Sequence, residues 1–177
     1  MLNGAPFSVH YVRRHDSAEC ESLLRELAPD TLVLGGTDIL PERILRLASR
    51  GTLNCHPGLL PDYRGCSCVE WAVYNDDPVG ATCHTVTSKI DWGSVVYSEA
   101  MPPRRQETYP ELRARMIAHQ TGVMTRGLKR FLQKKKSWPA MKGKGRYWKT
   151  IGAAELACVK EKLAKGEYRI AAEKVHG

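Results

Sequence analysis

The sequence lacks a long apolar run, a regular cysteine pattern and a start typical of secreted proteins. None of its apolar runs approaches the roughly 18 residues that a membrane-spanning helix needs, so we expect no membrane segment. Its first residues, Met-Leu-Asn-Gly-Ala-Pro, are not a basic region followed by an apolar stretch, which argues against a signal peptide. The six cysteines lack the tight spacing of a disulfide scaffold. We therefore expect reduced thiols and a cytoplasmic location.

Acidic residues are scarce in the second part of the chain. Residues 1–100 contain 8 Lys and Arg against 13 Asp and Glu, a net charge of −5, whereas residues 101–177 contain 19 against 6, a net charge of +13. Such a division suggests that the basic part meets an anion, such as a nucleotide, a phosphorylated substrate, a nucleic acid or a membrane surface. The alternative at this point is a solvated basic helix and tail.

What the sequence does contain is enough material for one α/β domain. Its 177 residues are 42% hydrophobic and 26% charged, as in ordinary soluble domains. Periodicity and turn residues predict strands over 7–13, Thr31–Leu34, 52–56, 81–87 and 94–101. They predict helices after Ser17, after Pro41, over 67–74, from the Thr108–Glu111 capping box to Lys134–Lys136, and over Ala153–Lys165. The early alternation of strand and helix is typical of a parallel sheet with flanking helices.

Three polar residues fall where an α/β protein places its site, at or just beyond strand ends. Asn54 and His56 lie two apart on one predicted strand and so share a side of it. Asp91 follows in a tight loop that Gly93 closes. An amide and an imidazolium can hold a developing oxyanion, and a carboxylate can keep the histidine charged and accept a proton. Singly, each has a structural explanation: a turn-forming Asn, a surface His beside Pro, and an Asx turn before Gly.

Two segments resemble signatures of the folate-dependent formyltransferase family. Residues 54–65, Asn-Cys-His-Pro-Gly-Leu-Leu-Pro-Asp-Tyr-Arg-Gly, are similar to the first of them. Residues 80–93, Gly-Ala-Thr-Cys-His-Thr-Val-Thr-Ser-Lys-Ile-Asp-Trp-Gly, are similar to the second. The order and spacing of the two segments also fit, and the resemblance covers roughly residues 7–135.

The resemblance implies a Rossmann-like catalytic domain that transfers a formyl group from 10-formyltetrahydrofolate to a primary amine without a metal. It assigns Asn54 to the formyl oxygen, protonated His56 to the tetrahedral intermediate, and Asp91 to orientation and proton transfer. His84 matches the second signature, and we interpret it as a packing or folate-loop support residue. The residues implied to bind the folate are Leu34, Gly35, Gly36, Ile39, Leu40, Val86 and Ile90.

Members of this family usually begin with one or two further βα units, so the chain is expected to lack its first units. A sheet without its first strand exposes an edge, and we therefore expect self-association or marginal stability. We expect the catalytic domain to span 1–136 and a basic extension with one helix to span 137–177. Cys55 and Cys83 replace aliphatic residues usual in the family, and Ser88 stands where an acidic residue is common.

Several alternatives stay open at this stage. One residue separates Cys66 from Cys68, fewer than the two to four that separate the usual structural zinc pair, and free thiols are the preferred interpretation. The tail residues Lys142, Lys144 and Arg146 suit a nucleic acid, although no RNA-binding signature accompanies them. The acceptor favoured here is an anionic small molecule such as an amino sugar nucleotide, with glycinamide ribonucleotide and methionyl-tRNA as further candidates. A non-catalytic remnant that binds folate or a partner chain is the alternative of another class.

Overall fold

The computed structural model describes residues 7–133, 138–143 and 145–168. The elements in chain order are α1 (Ala18–Leu27), β1 (Thr31–Leu34), α2 (Glu42–Leu45), β2 (Gly51–His56), β3 (Arg64–Gly65), α3 (Cys68–Tyr74), β4 (Gly80–Thr85), β5 (Val95–Ala100), α4 (Tyr109–Gln133), β6 (Tyr147–Trp148) and α5 (Ala153–Lys165). The α/β class with flanking helices is confirmed.

A four-stranded sheet in the order β1-β2-β4-β5 forms the centre of the described chain. Strands β1 and β2 are parallel, as the strand–helix–strand pattern predicts, whereas β4 runs antiparallel to both β2 and β5. The loop 86–94 is too short for a parallel crossover, which takes a dozen or more residues, so β4 and β5 pair as a hairpin. The sheet is therefore mixed, and its parallel part is the pair that positions residue 54 beside residue 34.

The strand predicted over residues 7–13 is wrong. The structure has no strand there, and Phe7, Val9 and Tyr11 are 69%, 63% and 90% exposed. Alternating apolar residues indicate which face a strand would bury, but without a neighbouring strand there is nothing to bury it against. In the described sheet β1 is an edge strand, and its Val33 is 46% exposed. Self-association stays a prediction.

Local signals explain the helices. Ser17 caps α1 by accepting a hydrogen bond from the Cys20 amide at 3.1 Å. The capping box of α4 is confirmed, because the Glu111 carboxylate accepts from the Thr108 amide at 2.8 Å. Helix α5 has the predicted bounds and ends at Gly166, whose φ of +66° suits glycine. The predicted end of α4 at Lys134–Lys136, and with it the domain boundary at 136, lies outside the described residues.

Helix α4 covers one face of the sheet and fixes β2 directly. It packs against β2, β4 and β5, and its buried residues include Leu112, Met116 and Val123. The Gln120 side-chain amide also donates to the Cys55 carbonyl at 2.7 Å. The end of β2, where the candidate catalytic residues lie, is therefore held by a core helix as well as by two strands.

Candidate active site

The three predicted catalytic residues lie close together in the structure. Asn54 and His56 end β2, and Asp91 lies in the loop 86–94 between β4 and β5. His56 Nδ1 is 3.5 Å from Asp91 Oδ2. Asn54 joins this pair through His84, because Asn54 Nδ2 is 3.3 Å from His84 Nε2, which is 3.7 Å from Asp91 Oδ1. The four side chains form one cluster.

The sequence did not place His84 in this cluster. The antiparallel register pairs it directly with Asn54, and this pairing is the signal that could have found it. His84 Nδ1 is 2.9 Å from the Thr85 carbonyl oxygen, which can only accept, so Nδ1 carries a proton. In the neutral ring Nε2 then accepts from the Asn54 amide. His84 thereby fixes which way the Asn54 side chain points.

Burial and a single carboxylate set the electrostatics of the two histidines. Burial lowers the pKa of His56 and the pKa of His84, since neither ring can be solvated when charged. The Asp91 carboxylate opposes this in both cases by attracting the imidazolium. His56 Nε2 donates to the Tyr63 carbonyl at 2.8 Å, which leaves Nδ1 to donate towards Asp91 whenever the ring is protonated. The geometry thus accommodates both forms of His56.

The backbone around Asp91 is shaped for this contact. Asp91 has a φ of +48°, a left-handed conformation that Asp and Asn adopt more readily than most residues. Its Oδ2 accepts from the Gly65 amide at 2.9 Å. Gly93 serves close packing, because a Cβ there would lie 1.5 Å from the Thr85 carbonyl oxygen. In this loop the positive φ therefore falls on Asp91 and not on Gly93.

A cavity of about 200 Å³ opens beside the cluster. Its wall includes Asn54, His84 and Asp91 together with five of the seven residues expected to bind folate: Leu34, Ile39, Leu40, Val86 and Ile90. The other two, Gly35 and Gly36, line an adjoining cavity that shares Leu34 and Asn54 and is closed by α4. His56 lies behind Asp91 and lines neither of these two cavities.

Comparison with known proteins identifies the family of the chain. Residues 8–128 match the family model described as formyl transferase. The chain belongs to the formyl transferase family. Both signature segments and all four residues of the cluster lie within the matched residues.

Curated members of the formyl transferase family differ in acceptor. The chain is 36% identical over 84 residues to a methionyl-tRNA formyltransferase from Chlorobium limicola, covering 47% of this chain and 26% of that protein. It is 33% identical over 92 residues to a GDP-perosamine N-formyltransferase from Brucella melitensis, covering 51% of this chain and 36% of that protein. The chain thus spans about a quarter to a third of these relatives.

A solved formyltransferase shares the fold. The crystal structure of the formyltransferase PseJ from Anoxybacillus kamchatkensis, in complex with UDP-4,6-dideoxy-4-formamido-L-AltNAc and tetrahydrofolate, matches with a TM-score of 0.61. The match covers 82% of this chain and 76% of that chain at 18% identity. At this identity the likeness extends to the fold and not to the acceptor.

The cysteines of this formyl transferase family member are free thiols. Burial raises the pKa of Cys55 and of Cys68 to about 12, and that of Cys83 to about 11, so these three stay protonated at neutral pH. Among the described residues, no group of three or more His, Cys, Asp and Glu side chains is arranged to hold a metal ion. Nor does any described helix have the length and apolarity to cross a membrane.

Cations and aromatic rings lie next to the cluster. The Arg64 guanidinium is 4.3 Å from the centre of the Trp92 ring and 6.0 Å from that of Tyr147, and it donates to the Ile90 carbonyl at 2.8 Å. The Arg146 guanidinium is 3.8 Å from the centre of the Trp148 ring. Of the predicted nucleic-acid residues, Lys142 and Arg146 are described and Lys144 lies outside the described residues.

Proposed function

We propose that the chain transfers a formyl group from 10-formyltetrahydrofolate to the primary amine of an anionic small molecule, such as an amino sugar nucleotide. The observation that carries this proposal is the position of Asn54. Its amide lies in the wall of a cavity, is oriented by His84, and shares that wall with the Asp91 carboxylate. A hydrogen-bond donor and a proton acceptor therefore face the same space, as acyl transfer to an amine requires.

The cavity fits the folate in its chemistry. Ligand sites are mostly apolar with a few placed polar groups, and here aliphatic side chains of Leu34, Leu40, Val86 and Ile90 surround the polar cluster. Bound there, 10-formyltetrahydrofolate supplies the formyl group, which leaves N10 for the acceptor nitrogen while one amine proton takes its place. The two cavities meet at Leu34 and Asn54, so the proposed folate residues on both sides converge on the Asn54 amide.

Each residue of the cluster has a separate role in the proposal. Asn54 donates from Nδ2 to the formyl oxygen, and this hydrogen bond becomes stronger as that oxygen becomes negative. Asp91 accepts the proton that the attacking amine loses. His56, when protonated, donates towards Asp91 and places a positive charge behind that carboxylate, which itself faces the cavity. Burial disfavours that charge, and the Asp91 carboxylate offsets part of this cost.

An anionic acceptor is supported by one cation in the cavity wall and by two at the β3–β6 pair, next to the loop that bears Asp91. Lys89 lines the cavity, Arg64 contacts the loop that bears Asp91 through the Ile90 carbonyl, and Arg146 stacks on Trp148. Within the described part of the chain, none of the three forms an ion pair with a carboxylate, whereas Arg25, Arg46, Arg115, Arg126 and Lys162 all do. Uncompensated guanidinium and ammonium groups suit phosphate.

The test is turnover with a panel of amines. We expect tetrahydrofolate release and a formylated product, identified by mass spectrometry, with a nucleotide-linked amino sugar. Asn54→Ala should reduce kcat by about 10²–10³-fold, the usual cost of one oxyanion donor. Asp91→Asn keeps the left-handed backbone while removing the charge, and should reduce turnover by about 10²–10⁴-fold.

Cys158→Ser, a change at an exposed residue on α5, is the matched control and should retain full turnover. Unchanged turnover in Asp91→Asn contradicts the mechanism. Folate binding without turnover on any amine supports the non-catalytic alternative. If the chain formylates only methionyl-tRNA, and binds it less tightly as the salt concentration rises, the acceptor is a nucleic acid and not a small molecule.

A further inference from the structure

The loop 57–67, which joins β2 to α3 and contains β3, supplies two backbone groups to the catalytic pair. The Tyr63 carbonyl accepts the hydrogen bond from His56 Nε2 at 2.8 Å. The Gly65 amide donates to Asp91 Oδ2 at 2.9 Å. The relative position of His56 and Asp91 therefore depends on where this loop lies.

Residues 145–151, which we call the C-terminal segment, hold this loop from its other side. The Arg64 amide donates to the Arg146 carbonyl at 3.1 Å, and the Cys66 amide donates to the Trp148 carbonyl at 2.9 Å. The backbone amides of successive loop residues thus point in alternate directions. Those of residues 64 and 66 donate to the C-terminal segment, and that of residue 65 donates to Asp91. This alternation is that of a strand with partners on both edges.

The Trp148 side chain adds the strongest attachment. Its ring stacks on Tyr63, with centres 5.4 Å apart and planes 3° from parallel, and on Trp71, with centres 4.9 Å apart. Its indole N–H donates to the Asp62 carbonyl at 3.0 Å. The side chain is 8% exposed, so both the ring contacts and the hydrogen bond form away from water, where they contribute most.

From these contacts we infer that Trp148 is a positioning residue for the formyl transfer, acting through the Tyr63 carbonyl and the Gly65 amide on His56 and Asp91. The inference rests on the proposed function. It extends the site beyond the family match, which ends at residue 128, to a segment that touches neither the Asn54 amide nor the cavity beside it. The C-terminal segment is then part of the catalytic machinery.

The experiment compares three variants of the full chain. Trp148→Ala removes the stack and the indole donor, and should lower kcat about 100-fold, the effect of a roughly 1 Å misplacement, while KM for 10-formyltetrahydrofolate stays unchanged. Trp148→Phe keeps a smaller aromatic ring at this position and removes the indole donor, so it should recover most of this loss and remain folded. Leu163→Ala truncates a buried apolar side chain of α5, which offers the loop neither a hydrogen bond nor a ring. It controls for lost stability.

A second measurement separates positioning from folding. The Tyr63 hydrogen bond favours the charged form of His56, so loosening it should move the histidine titration, followed by NMR, to lower pH in Trp148→Ala but not in Leu163→Ala. Turnover and titration equal to the parent in both Trp148 variants overturn the inference, as does an equal kcat loss in Leu163→Ala. If the parent chain has no turnover, the proposed function fails, and the His56 titration still decides whether Trp148 positions the pair.

Discussion

At the scale of single residues, the site depends on side chains whose partners are fixed by strand register. Asn54 and His56 were predictable because their spacing and the Pro-Gly that follows them are visible in the sequence. His84 was not, since its importance comes from lying opposite Asn54 on the neighbouring strand. A residue whose role is to orient another carries no periodic or compositional signal of its own.

His84 allows a direct test of orientation. His84→Ala removes the acceptor of the Asn54 amide and should lower kcat of formyl transfer about 10²-fold, because a misplaced donor loses most of its effect. His84→Gln can still accept through its amide oxygen and should retain more activity than His84→Ala.

His119 is the matched control for this pair. It is also a partly buried histidine that bonds a carbonyl, that of Glu99, but it lies on α4 and makes no contact with the cluster. His119→Ala should keep the parent kcat in the same assay. Equal activity of His84→Ala and the parent would show that Asn54 needs no external orientation.

At the scale of elements, the local sequence signals were sufficient to predict the helices, but they did not predict the two shortest strands. Helix α5 was predicted to the residue because a left-handed glycine ends it. Strands β3 and β6 have two residues each and pair across more than eighty positions, which no local pattern can reveal. The 7–13 segment shows the converse, an alternating pattern that has no strand in the structure to pair with.

The fit of α4 on the sheet can be tested with its two glycines. A Cβ at Gly127 would lie 2.4 Å from Cys83 Sγ and 2.6 Å from its Cβ, so Gly127→Ala should reduce the free energy of unfolding by about 1–3 kcal/mol. At Gly122 only the flexible Arg126 side chain is near, at 3.2 Å, and Gly122→Ala should raise it by up to about 1 kcal/mol.

Urea denaturation of both variants provides the measurement. We expect the two changes in the free energy of unfolding to have opposite signs. Helix propensity favours alanine at both sites, but at Gly127 the close contact with Cys83 opposes it. A stabilising Gly127→Ala would mean that α4 and β4 are farther apart than the structure shows.

At the scale of the whole molecule, the unequal charge of the two parts of the sequence predicts an anionic partner. The described structure shows where these two parts contact each other. The acidic part contributes Asn54, His56 and Asp91, and the basic part contributes Arg146 and strand β6, which pairs with β3. The two parts are therefore not separate charged regions. They meet at the β3–β6 pair, whose Arg64 also contacts the loop that bears Asp91.

Two buried histidines should make the stability of the whole chain depend on pH. Burial lowers the pKa of His56 and the pKa of His84 below the ordinary value of about 6.5, so the unfolded chain takes up protons first as pH falls. The stability is then fully present above about pH 6.5 and declines as the pH falls towards the folded values.

Denaturation at pH 7.5, 6.5 and 5.5 checks this expectation. The pKa of Glu107 is lowered by its hydrogen bonds with Arg115, so its contribution is lost only at more acidic pH. A variant with His56→Gln and His84→Gln should show a flatter dependence than the parent between pH 6.5 and 5.5. An equally steep decline in that variant would assign the effect to other groups.

The pairing of β3 with β6 also has a consequence for synthesis on the ribosome. The ribosome delivers the chain from its amino terminus, and a domain generally folds as a unit. Asn54, His56, His84 and Asp91 have all been made by residue 91, but the loop that aligns two of them gains its outer partner only when Trp148 emerges. Between residues 91 and 148 a nascent chain therefore contains all four side chains of the cluster without the contacts of Trp148.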